Sequence, residues 1–101
     1  MSYIAIGIEK PPIPIEQRKH RKIACLSWTS STGEITPLSF KMLVDGEVQT
    51  FKRLRILSIE EKWGFGTTIM EFKCEMIVNG FKIKSLLVLD TNKRRWYLID
   101  E

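Results

Sequence analysis

The sequence predicts an all-β fold: a small antiparallel barrel or strongly bent sheet of five to six strands, built from two hairpins and preceded by an extended N-terminal arm. Three observations lead there. Apolar residues recur at every second position rather than at helical spacing, as in Leu38, Phe40, Met42 and Val44. Asp45-Gly46 and Asn79-Gly80 each lie between two such runs, which is the strongest short-range hairpin signal. The chain has 101 residues, 44% hydrophobic and 28% charged, as expected of one globular domain.

Residues 1–19 read as an arm and residues 20–101 as a single β domain. Within the arm Ile4, Ile6 and Ile8 alternate like a strand with one apolar face, and Pro11, Pro12 and Pro14 then hold the chain extended and exclude a helix. The arm is either mobile or serves as an edge strand, in its own subunit or a neighbouring one; an isoleucine-rich edge is sticky, which argues for its being covered. Only residues 15–21 leave room for a helical turn.

The first strand of the domain is expected over residues 23–29, followed by a Ser30-Ser31-Thr32-Gly33 loop. The second, over 38–44, turns at Asp45-Gly46 into a returning strand over 48–59. A plain two-residue turn would set Met42 beside Gln49 and Leu38 beside Arg53. A bulged turn with only Gly46 left-handed pairs Met42 with Val48 and Phe40 with Thr50, and brings Leu54 and Ile56 inward; that register is preferred. It leaves Phe51, Leu57 and Ile59 outside, so the strand must bend and switch faces near Arg53 or be covered on a second surface.

The second hairpin passes a stricter test. With Asn79-Gly80 as a two-residue loop, Val78 faces Phe81, Met76 faces Ile83, Cys74 faces Ser85, Phe72 faces Leu87 and Met70 faces Leu89. Nine of these ten side chains are apolar and all share one face. On the other face Glu75 opposes Lys84. A last strand over 94–99 follows the Asp90-Thr91-Asn92-Lys93 turn.

The stretch from Ile23 to Leu98 resembles a group of short, uncharacterised β proteins of Gram-positive bacteria. The resemblance is carried by Trp28-Thr29-Ser30 with Gly33 and Pro37, by Leu54-Arg55-Ile56-Leu57 with Glu60-Glu61-Lys62, by residues 71–75, by Asn79-Gly80 and by Arg95-Trp96. It implies a β fold and no particular activity. Such proteins often carry a cysteine just before the final tryptophan; Arg95 stands there in this chain, so the resemblance implies no thiol site.

The net charge is +4, with sixteen Lys and Arg. The cations gather in Arg18-Lys19-His20-Arg21-Lys22, in Lys52-Arg53-Leu54-Arg55 and in Lys93-Arg94-Arg95, a surplus that permits a nucleic-acid or acidic partner without requiring one. The longest apolar run, Leu86-Leu87-Val88-Leu89, is far short of the roughly 18 residues that span a bilayer. The N-terminus has no basic leader or small-residue cleavage site, and two separated cysteines suit buried thiols better than a disulfide, so a cytoplasmic protein is expected.

The residues for chemistry are sparse. His20, the one histidine, lies in a basic run and reads as a surface residue. Cys25 and Cys74 fall mid-strand as small hydrophobes, and with a single histidine they cannot close a zinc site. Glu60 and Glu61 are adjacent and point apart in an extended chain, while Glu71 and Glu75 alternate with Lys73 on an outer strand face. Gly64 and Gly66 lack the rest of a phosphate-binding fingerprint. No catalytic residue, metal or cofactor is therefore assigned, and the chain is expected not to be an enzyme.

Two segments could bind a partner. Trp63 and Phe65 lie between glycines in an expected loop, where they either fold back to plug the barrel end, the favoured reading, or are displayed for stacking or insertion. Lys93-Arg94-Arg95-Trp96-Tyr97 interleaves cations with rings as a nucleic-acid surface would, although the rings also suit core edges. With Arg53 and Arg55, the candidate partner-binding residues are Trp63, Phe65, Arg53, Arg55, Arg94, Arg95 and Trp96. The leading expectation is a small β module that binds a protein or itself through the arm or an edge strand; the alternative is a nucleic-acid-binding barrel.

Overall fold

The computed structural model describes residues 15–64 and 66–100. The expected arm lies outside these residues as far as position 14. A short 3-10 turn, Ile15–Gln17, comes first. Seven strands follow among the described residues: β1 (His20–Thr29), β2 (Ile35–Val44), β3 (Glu47–Phe51), β4 (Arg55–Gly64), β5 (Thr67–Val78), β6 (Phe81–Asp90) and β7 (Arg95–Ile99). All pairings are antiparallel. The sheet order is β3-β2-β1-β7-β6-β5-β4, so every strand but β3 and β4 has two neighbours.

Those two edge strands are consecutive in the chain and separated only by residues 52–54. Three residues cannot cross a flat sheet six strand spacings wide, because neighbouring strands stand roughly 4.8 Å apart. The sheet therefore curls into a half-barrel whose two edges approach each other at this corner. Leu54 N–H donates to the Leu38 carbonyl at 3.4 Å and ties the corner to β2.

The β5–β6 hairpin has the register expected from the sequence, from Val78 opposite Phe81 to Met70 opposite Leu89. Asn79 (φ 51°) and Gly80 (φ 82°) are both left-handed, the requirement of the tight turn whose twist matches its strands. Phe72, Cys74, Met76, Leu87 and Leu89 are buried here with Phe40 and Leu98 and form the concave core. Cross-strand Glu75 opposes Lys84 as expected, but its carboxylate lies 3.8 Å from Arg55 instead.

The first hairpin differs from expectation. Met42 pairs with Gln49 and Phe40 with Phe51, the plain two-residue register, and Asp45 (φ 52°) joins Gly46 (φ 82°) in the left-handed region. The objection to that register was Leu38 beside Arg53. It disappears because the strand ends at Phe51 and Arg53 itself turns left-handed, at φ 58°. Phe51 faces inward, against expectation, and stacks on Phe40 at 4.9 Å between ring centres. The expected strand 48–59 is thus two strands, and with β4 running on to Gly64 the total is seven rather than five or six.

The convex face is not simply wet. Ile69, Val88, Tyr97 and Ile99 are buried there beneath Ile15, so the chain just before β1 lies across the back of β5, β6 and β7. Glu71, expected on a solvated face, is buried beside them. Its two oxygens accept from Arg18 at 3.0 Å and Lys62 at 3.3 Å, the pairing a carboxylate needs where water is scarce.

Candidate functional site

Curling leaves a cavity of about 720 Å³ on the concave side. Its walls are Phe40, Met42, Phe51, Met76, Val78 and Leu98, with Leu57 at the β4 side and Ile83 at the hairpin. Because register places Cys25, Phe40 and Phe51 in one row and Arg21, Leu98 and Leu87 in another, the even-numbered side chains of β7 and the odd-numbered ones of this part of β1 share the interior. At one end of it Arg21 grips Asp100 through Nε and Nη2, at 2.8 and 2.9 Å. That hydrogen bond holds the Asp100 carboxyl below the usual carboxylate range and raises the Arg21 guanidinium further.

Both cysteines are free. Cys74 donates to the Ser85 carbonyl at 3.6 Å and Cys25 to that of Leu26 at 3.7 Å. Burial pushes the Cys25 thiol up to about 12, with a smaller push from the nearby Cys74 sulfur, and burial alone pushes Cys74 up to about 11. At neutral pH both are neutral thiols and poor nucleophiles.

Both edges of the sheet border this cavity, β3 through Phe51 and β4 through Leu57. The border is apolar on its exposed side too. Val48, Leu57, Ile59 and Trp63 are 65%, 43%, 50% and 56% exposed. A β-bulge between Ile56 and Ser58 leaves Leu57 without a ladder partner and turns the strand there. On the outer face of β2 and β3, Leu43 stands beside Val48, and on β1 Leu26 and Trp28 are exposed as well.

The expected partner-binding residues do not form one surface. Trp63 is on β4, not in a loop, and does not plug the barrel; Phe65 lies outside the described residues. Trp96 is half-buried and packs on Phe72 at 5.4 Å, so it belongs to the core. Arg53 and Arg55 are exposed at the corner between the sheet edges, and Arg94 (φ 55°) is exposed in the β6–β7 turn. Arg95 is on the convex face, several strands from the corner. No family model, curated protein or solved structure matches the chain.

One grouping escaped sequence reasoning. A second cleft, about 550 Å³, opens on the convex face where β1 meets β7, lined by Ile15, His20, Lys22, Lys93, Arg95 and Tyr97. The signal was present as two separate basic runs, but only the β1–β7 ladder, which sets Lys22 opposite Tyr97, joins them. His20 is half-buried rather than a plain surface residue. Its Nδ1–H donates to the Arg18 carbonyl at 2.7 Å and its ring meets Tyr97 edge-on.

Proposed function

We propose that this protein is a non-enzymatic binding module whose open side accepts an extended strand, in the first instance from a second copy of the chain. The observation that carries the reading is the pair of edge strands, β3 and β4, each with one ladder partner among the described residues and both flanking an apolar cavity. A strand added to either edge would satisfy the edge's free backbone groups and send alternate side chains into the interior. Exposed Val48, Leu57, Ile59 and Trp63 along the same border favour a protein surface over water. The alternating Ile4, Ile6 and Ile8 of the chain itself have the pattern such a strand needs, and they lie outside the described residues.

The test is the mass of the full chain by analytical ultracentrifugation from micromolar to millimolar concentration. Association that rises with concentration, and falls at least tenfold in Val48→Lys and Ile59→Lys variants, supports the proposal. A monomer at every concentration overturns it.

A further inference from the structure

We propose that the convex cleft between β1 and β7 binds a phosphorylated small molecule through its phosphoryl group. Lys22 and Arg95 come from neighbouring strands, Lys93 from the adjoining turn and His20 from two residues before Lys22, and among the described residues no carboxylate lines the cleft. Three described acids on or beside the neighbouring strands are engaged elsewhere. Asp90, opposite Arg95 in the ladder, accepts from the backbone N–H groups of Asn92 and Lys93 at 3.0 and 3.1 Å. Asp100 is held by Arg21 and Glu71 by Arg18 and Lys62. Lys22 and Arg95 thus have no ion-pair partner among the described residues.

The remaining wall is apolar and aromatic: buried Ile15 and the buried Tyr97 ring, with His20 edge-on to it. The carbonyl of Arg18 fixes the His20 proton on Nδ1, so Nε2 is the ring nitrogen left for a ligand. A cleft of about 550 Å³ is in the size range of small-molecule sites and larger than a bare oxyanion fills. Cations suit the phosphoryl oxygens, with Arg95 able to take two of them at once, and the Ile15–Tyr97 wall suits an organic body. A nucleic-acid strand is the poorer fit. The basic groups converge on one bounded cleft rather than forming a track, Trp96 is packed in the core, and the cations at residues 52–55 lie at the far corner.

The experiment is an amide-shift titration of the full chain with phenyl phosphate, inorganic phosphate and a twelve-residue oligothymidylate. Phenyl phosphate should give saturable shifts at Lys22, Arg95 and Tyr97, and bind several-fold more tightly than inorganic phosphate. The Lys22→Gln/Arg95→Gln variant should bind at least tenfold more weakly at an unchanged unfolding midpoint, and Lys52→Gln/Arg55→Gln should bind normally. The proposal is overturned by any of three results: no saturation at tens of millimolar, equal loss in both double variants, or tighter binding of the oligonucleotide with shifts that spread to residues 52–55.

Discussion

The β5–β6 hairpin and the β3–β4 corner start from similar material, apolar residues at period two next to a two-residue left-handed turn, and end differently. In the hairpin both strands have neighbours on either side, Phe72, Cys74, Met76, Leu87 and Leu89 of the concave face are buried in the core while Phe81 and Ile83 by the turn are exposed, and Ile69 and Val88 of the convex face lie under Ile15. At the corner the pattern fails, Arg53 adopts a left-handed backbone, and the chain passes from one edge of the sheet to the other. The hairpin holds the fold; the corner sets its shape and leaves its edges exposed. The difference comes from long-range pairing, since nothing local distinguishes Phe51 from Phe72.

The largest test of this contrast removes an equivalent ring from each region. Phe72→Ala, at a fully buried site, should cost roughly 3–5 kcal/mol in urea unfolding, whereas Phe51→Ala, half-buried at an edge, should cost less than half as much. Equal losses would show that the corner is as deeply packed as the hairpin. Next in size is the backbone. Gly80→Ala forces a side chain into a left-handed turn and should destabilise by about 1 kcal/mol, while Arg53→Gly relieves one and should stabilise by several tenths.

The two thiols give a pH test of the core that the corner does not share. Below pH 9 they are protonated whether the chain is folded or not. Above it the unfolded thiols ionise while the buried ones hold their protons, so stability should fall as pH rises from about 9 toward the folded values of about 11 and 12. A Cys25→Ala/Cys74→Ala variant should lose this alkaline slope, as read from denaturant midpoints at successive pH values. The smallest effect is expected at Arg21→Ala. Its bond to Asp100 is largely solvated, so the cost should be about 0.2–1 kcal/mol, confined to pH values above the depressed Asp100 range and reduced by salt.

How far the sequence could be read follows the same division. The register of residues 70–89 was legible because a short turn fixes the pairing and both faces repeat the pattern, each checking the other. The break at Arg53 was not, because an arginine gives no local sign of a left-handed backbone; the strain is imposed by edges that meet through the fold. Glu71 looked solvated because Arg18 and Ile15, which cover it, are distant in sequence. Trp63 looked like a loop residue because the glycines beside it suggested an earlier end to β4. The convex cleft was visible only as two basic runs until β1 and β7 paired.

That last pairing has a consequence for chain connectivity. β1 and β7, the most separated strands in sequence, are neighbours in the middle of the sheet, and Asp100 N–H donates to the Lys19 carbonyl at 2.9 Å. A chain joined by a short linker from residue 100 to residue 15 and reopened at residues 52–54 would run β4-β5-β6-β7-β1-β2-β3. Its order along the chain would then equal its order across the sheet, and each ladder would become a link between successive strands. Lower contact order speeds folding, so this circular permutant should refold faster than the natural chain in stopped-flow measurements while keeping the same half-barrel.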